Sequence, residues 1–153
     1  MDEIAQILST WAYREATHNH YLGGSIMDKA LYDRGLAMRR KVLGDEYVDR
    51  AIANTDDFNR KFQDLLNEFC WGAVWTDEDL KPRDRSLLNL GMIACLGRMH
   101  EFEAHFRGAL RNGLTPKELS AVLRQVAIYC GFPAAVDAHR VAKQVLAAEG
   151  KKP

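Results

Sequence analysis

Apolar residues return at intervals of three and four along almost the whole 153-residue chain, and nowhere do they alternate with polar residues for long. That spacing is the mark of amphipathic helices and predicts an all-α protein. Ile4, Ile7, Leu8 and Trp11 suggest an N-terminal arm or helix over 1–27, interrupted at Gly23-Gly24-Ser25. One helical domain is expected over 28–150. Inside it the pattern predicts helices near 28–43 and 45–54, divided at Gly44-Asp45. A longer helix is expected from Thr55-Asp56-Asp57, where a side-chain oxygen can cap the first turn. That helix would carry Phe58, Phe62, Leu65, Leu66, Phe69 and the Trp71/Trp75 pair. After the polar loop T-D-E-D-L-K-P-R-D, an apolar helix is expected from about Asp84 to a stop at Gly97, with the next beginning at Arg98. Asn112-Gly113 closes that one. Thr115-Pro116-Lys117-Glu118 supplies an N-cap, a first-turn proline and an N3 acid for its successor, and Gly131-Phe132-Pro133 splits the last two helices.

Charge narrows the range of partners. Lys plus Arg and Asp plus Glu number 21 each, so no general field draws the chain to nucleic acid or to an anionic membrane. The first twenty residues hold Asp2, Glu3, Arg14 and Glu15 and no continuous apolar run, which argues against a signal peptide or a membrane span. Cys70, Cys95 and Cys130 are odd in number, widely spaced and set among apolar neighbours, as buried free thiols are, and this favours a reducing cytoplasm. Several strongly apolar helices in so short a chain would leave a face exposed on a monomer, so self-association is expected.

The densest chemistry lies in R-M-H-E-F-E-A-H, residues 98–105. At about 100° per residue, Arg98, Glu101 and His105 fall within roughly a 60° arc of one helical face. Such a row is often no more than a surface ladder of helix pairs. Here Phe102, Phe106, Ala109 and Leu110 flank it, which places it at the edge of an apolar surface. His100, Glu103 and Arg107 occupy other faces and read as solvated helix charges. Glu101 and His105 make half of a carboxylate-histidine metal site, but no second E-x-x-H or H-x-x-x-H completes it, so no metal is expected. His18 and His20 read as an exposed pair. Trp71 and Trp75, with Glu68 one turn earlier, read first as core. Arg83 and Arg85 sit at a helix start, where the dipole disfavours cations, a mild conflict of the kind that anion sites produce. No G-x-G-x-x-G, Walker loop, G-x-S-x-G or zinc-finger spacing occurs.

Five stretches in order from Leu36 to Ala135 resemble the carboxymuconolactone decarboxylase family of the AhpD-like all-α superfamily. They are L-A-M-R-R-K-V-L-G-D-E-Y-V-D-R-A (36–51), F-Q-D-L-L-N-E-F-C-W-G-A-V-W (62–75), R-D-R-S-L-L-N-L (83–90), H-F-R-G-A-L-R-N-G (105–113) and Q-V-A-I-Y-C-G-F-P-A-A (125–135). Thiol-peroxidase relatives in that superfamily carry C-x-x-C-x-x-x-H after a glutamate on the preceding helix. Here those positions hold Arg98, Glu101, His105 and Ser86, so both thiols are gone. The resemblance implies cofactor-free decarboxylation of 4-carboxymuconolactone to 3-oxoadipate enol-lactone in protocatechuate degradation. Loss of CO2 from the carbon γ to the lactone carbonyl leaves a dienolate, which needs donors at the oxyanion and an acid for the carbon.

On that basis His105 is the expected proton or oxyanion donor, with Glu101 orienting it or sharing the proton. Arg98 and Arg85 would hold substrate carboxylates, whose geometry a guanidinium matches. Glu68, Trp71 and Ser86 would line the site, and Tyr129 and Cys130 hold motif positions suited to helix packing. Ala73 stands where many relatives have an acid inside W-G-x-V-W, which leaves room for a different lactone or keto acid. The resemblance also implies a trimer or a hexamer, commonly a trimer of dimers. Two other readings stand beside it: AhpD-like peroxide reduction, and a non-catalytic oligomeric relative.

Overall fold

The computed structural model describes residues 27–151. The expected N-terminal arm, with its His18/His20 pair, therefore lies outside the described residues apart from Met27. The rest is α1 (Lys29–Leu43), α2 (Asp45–Ala53), α3 (Arg60–Leu65) running directly into a π-helical stretch (Leu66–Val74), α4 (Pro82–Cys95), α5 (Met99–Arg111), α6 (Pro116–Tyr129) and α7 (Phe132–Ala148). No strand occurs among the described residues, so the chain is all-α as its periodicity predicts.

Most boundaries follow local chemistry. The Asp28 side chain caps α1 by accepting from the Leu31 amide at 3.0 Å. At α6 the full capping box forms: Thr115 Oγ1 accepts from the Glu118 amide, and Glu118 Oε2 accepts from the Thr115 amide. Gly44 divides α1 from α2 at φ +89°, a conformation that side chains resist, and the Arg111 side chain donates there to the carbonyl of Leu43 at 3.0 Å. Three boundaries differ from expectation. The third helix starts at Arg60 rather than near Thr55, because the Asp56 carboxylate closes a tight turn by accepting from the amides of Phe58 and Asn59. Helix α4 starts at Pro82, two residues before Asp84, since proline fits a first turn that needs no amide. Arg98 is not in the α5 helix but is its N-cap, at φ −87° and ψ 73°.

Two apolar clusters meet across α5. The larger joins Leu90 and Ala94 of α4, Phe102, Phe106 and Ala109 of α5, Leu119, Leu123 and Val126 of α6, and Ala138 and Val145 of α7. The smaller holds Val42, Leu43, Val48, Trp71 and Trp75, with Ala104 of α5 packed on it. Helix α1 is pressed closely on both sides. A Cβ at Gly35 would stand 1.9 Å from the Asn67 carbonyl oxygen, and one at Gly108 would stand 2.9 Å from the carbonyl oxygen of Val42. Side-chain-free positions let these backbones touch.

Candidate active site

Helix α5 turns Phe102 and Phe106 into the main core and His105 toward the π-helical stretch. There the imidazole stacks on two indoles. Its ring centre lies 6.1 Å from Trp71, with the planes nearly parallel at 4°, and 6.1 Å from Trp75. The indoles themselves stack at 4.9 Å, and each is only 3 % exposed. Burial among these rings lowers the His105 pKa to about 4, against a smaller opposing pull from the Glu101 carboxylate. The imidazole is therefore neutral near pH 7. Its Nδ1 is buried and has no hydrogen-bond partner among the described residues.

The π winding sets this arrangement. It is marked by the Trp75 amide donating to the Cys70 carbonyl at 3.0 Å, five residues back. Gly72, between the tryptophans, leaves no room for a Cβ, which would meet the Leu31 carbonyl oxygen at 2.5 Å. Three residues before Trp71, Glu68 is buried, and its Oε1 accepts from the Asp28 amide at 3.2 Å.

The other expected site residues scatter. Glu101 is exposed, one turn before His105 and close enough to act on its charge. Arg98, at the mouth of α5, is also exposed. Arg85 is engaged elsewhere: its guanidinium donates to the Leu80 and Asp77 carbonyls and, at 2.9 Å, to the Asp77 carboxylate, tying down the loop before α4. The Ser86 hydroxyl donates to the Pro82 carbonyl and accepts from Asn112 Nδ2 at 2.9 Å. Asn112 caps the far end of α5, about 10 Å along the axis from His105. His100, Glu103 and Arg107 face an open charged cleft of about 850 Å³ beside α2, where Arg107 pairs with Glu103 and Glu149, as solvated helix charges do. Among the described residues no cluster of three or more His, Cys, Asp or Glu is placed to hold a metal ion, and no helix is long and apolar enough to cross a membrane.

Trp75 is core, as its spacing predicts, and it also presents its ring to His105. One buried residue beside the π stretch has no place in the expected site. Arg39, 4 % exposed, lies buried behind the π stretch and donates from Nη1 to Gln63 Oε1 and Asn67 Oδ1. Its signal was present: Arg39 shares a helical face with Gly35, Val42 and Leu43.

An all-α bundle that sets a neutral imidazole against two stacked indoles, with a carboxylate one turn away, offers donor and acid chemistry on α5. The family model described as carboxymuconolactone decarboxylase matches residues 60–144. The chain is 36% identical to the 4-carboxymuconolactone decarboxylase of Acinetobacter baylyi over 118 residues, 77% of this chain and 88% of that protein. It is 38% identical to the nitrosuccinic acid decarboxylase npaB of Metarhizium robertsii over 120 residues, 78% of this chain and 84% of that one. A 45-residue stretch is 42% identical to a 4-carboxymuconolactone decarboxylase of Pseudomonas putida, covering 29% of this chain and 94% of that sequence. The chain belongs to the carboxymuconolactone decarboxylase family, and it is a carboxy-lyase.

Proposed function

We propose that the chain decarboxylates 4-carboxymuconolactone, or a closely related carboxylated lactone, to the 3-oxoadipate enol-lactone, and that His105 works there as a neutral donor. The observation that carries this reading is the setting of the imidazole: His105 packs against the stacked pair Trp71 and Trp75, uncharged near pH 7, with a buried ring nitrogen that has no partner among the described residues. When the bond to the departing CO2 breaks, its electron pair moves into the lactone ring and settles on the carbonyl oxygen. An N–H aimed at that oxygen in an apolar slot stabilises the charge where it develops and not before. A proton must then reach the carbon α to the carbonyl. Glu101, at solvent and one turn away, is placed to relay it. Arg98 is the cation best placed to steer the remaining carboxylate, since Arg85 is already paired with Asp77. Glu68 and Trp71 line the slot, while Ser86 acts as a helix tie. No cofactor enters this scheme.

The relative named for nitrosuccinic acid supports a second substrate of the same chemical kind. A nitro group, like a lactone carbonyl, accepts the electron pair that CO2 leaves behind. Ala73 in W-G-A-V-W is consistent with either. Thiol chemistry is less well supported. Burial raises the Cys70 pKa, and a hydrogen bond with Cys95, together with burial, raises that of Cys130, so neither is an activated thiolate.

Purified protein supplied with 4-carboxymuconolactone, and in parallel with nitrosuccinate, is expected to release CO2 from one of them with loss of ultraviolet absorbance for the lactone. Release from neither above background sinks the reading. The pH profile adds a sharper test. Because the folded His105 pKa is about 4 rather than 6.5, activity should hold from pH 7 down to about 5 and fall only toward pH 4. A half-point near 6.5 would show that a normally titrating imidazole does the work.

We also propose self-association. Leu88 and Met92 on α4, Leu96 at its C-cap, and Ile128, Tyr129, Phe132 and Val136 at the α6–α7 junction are all exposed, Leu96, Ile128 and Tyr129 by more than 70 %. Faces of this kind on single chains mark contacts between copies. Sedimentation equilibrium is expected to give the mass of a trimer or hexamer; a single-chain mass at micromolar concentration would refute it.

A further inference from the structure

We propose that Arg39, on α1, is the positioning residue that fixes where π winding begins and thereby holds Trp71 and Trp75 against His105. This rests on the His105 reading above, but it makes a claim about the fold that can fail separately.

Arg39 is anomalous in three ways. It is a cation at 4 % exposure, and among the described residues it has no carboxylate partner and its buried Nε has no hydrogen-bond partner. A guanidinium kept in that state is expensive, and an apolar side chain of similar size would fill the same space at lower cost. Packing alone therefore does not account for arginine here.

What the guanidinium does is specific. Nη1 donates at 3.0 Å to the side-chain oxygen of Gln63, in α3, and at 3.1 Å to that of Asn67, the second residue of the π stretch. One nitrogen thus spans the point where α winding gives way to π winding. Asn67 is held a second time by α1, since its carbonyl oxygen lies against Gly35, where even a Cβ would not fit. One turn of α1 therefore grips both the backbone and the side chain of the same residue.

The grip matters because π winding is rare and its hydrogen bonds are not those the backbone prefers. Each π residue advances the chain through a smaller angle than the 100° of an α-helix, so the starting point decides where later side chains point. Nine residues are π-wound here, Leu66 to Val74, and the two tryptophans fall at the sixth position and just past the end. If the junction slid by a residue, or the stretch relaxed to α winding, both indoles would rotate about the axis relative to α5. His105 would lose the rings that bury it. The tie from Arg39 through Asn67 to Trp71 crosses only one turn of chain, short enough to transmit that constraint.

The test is Arg39→Met, which removes the donors and keeps the bulk, with Arg39→Lys as the conservative partner. Both are read by the imidazole titration of His105 in NMR spectra of the full chain, by near-ultraviolet circular dichroism of the tryptophans, and by kcat and KM on whichever substrate the parent turns over. Arg39→Met is expected to fold with unchanged helical content, since an unpaired buried cation is exchanged for an apolar chain. Its His105 should titrate well above 4, toward the ordinary 6.5, its stacked-indole signal should weaken, and kcat should drop at least tenfold with KM little altered. Arg39→Lys, which can reach one of the two oxygens, should fall between. A folded Arg39→Met with His105 still titrating near 4 and an unchanged indole signal overturns the proposal. Should Arg39→Met not fold, Arg39→Lys decides alone, and a parental His105 titration in it counts against the two-point grip. The titration and the dichroism need no substrate, so they judge Arg39 even if both assayed compounds prove inert.

Discussion

His105→Ala is expected to lower kcat by about 10²- to 10⁴-fold, the range over which a positioned donor or acid contributes, while leaving KM within a few-fold of the parent. The split follows from timing. The imidazole meets its strongest demand only when charge appears on the carbonyl oxygen, so its loss falls on the transition state rather than on binding. His105→Asn, which restores an N–H in the slot, should recover part of the rate; His105→Ala folding normally with undiminished kcat would remove His105 from the mechanism. The same variant carries a stability signature. In the folded chain this imidazole stays neutral down to about pH 4, whereas in the unfolded chain it takes up a proton near 6.5. Between those values the unfolded state binds more protons, so the parent loses stability as pH falls from 6.5 toward 4, by about 3 kcal/mol in all. His105→Ala should lack that part of the acid loss, visible as a flatter dependence of the thermal midpoint on pH.

Gly35→Ala carries the second large effect, and it acts through the backbone. The added methyl would fall 1.9 Å from the Asn67 carbonyl oxygen and 2.6 Å from the Gly72 amide nitrogen. Neither is the end of a flexible side chain that can swing away, so α1 and the π stretch must separate. Overpacking in a tight core costs about 1–3 kcal/mol and sometimes more; with two backbone groups in the way, the upper end is expected, together with a fall in the thermal midpoint of roughly 10 °C. Because the crossing also holds Asn67, the variant should lose activity even where it remains folded. Gly91→Ala provides the contrast. A methyl there meets nothing within 4 Å among the described residues, and alanine is the better helix former, so stability should rise by about 0.5–1 kcal/mol. Equal midpoints for the two variants would contradict the close crossing of α1 and the π stretch.

These expectations differ in how far they could be read before the fold was known. The repeat of apolar residues every three or four positions gives the helices, and punctuation such as Thr115-Pro116-Lys117-Glu118 and Gly44 gives their ends, because caps and left-handed turns are made by residues adjacent in the chain. Motifs such as R-G-A-L-R-N-G and Y-C-G-F-P-A-A point to the family for the same reason. The placing of Glu101 and His105 on one face of one helix was legible too, since helical geometry needs no partner to define a face.

Arg98 shows where that kind of reading stops. Its spacing puts it in the row, but the chain leaves helical geometry at that residue and makes it a cap. Arg85 has the right chemistry and charge for a substrate carboxylate, yet the loop folds Asp77 onto it. Ser86 is equally well chosen by type and is spent on Asn112. For Arg85 and Ser86 the competing partner lies eight or more residues away, and nothing in local pattern announces it.

Taken by itself, then, the chain determined its helices, their caps, its family and the segment that bears the imidazole, all of which depend on neighbours within about a turn or two. Only the tertiary structure decided that His105 is neutral, that Trp71 and Trp75 pack their rings against it, and that a buried Arg39 bonds across the junction where α winding becomes π. Those properties arise from desolvation and backbone contact between α1, the π stretch and α5, surfaces that are far apart in sequence and acquire their chemistry only when packed together.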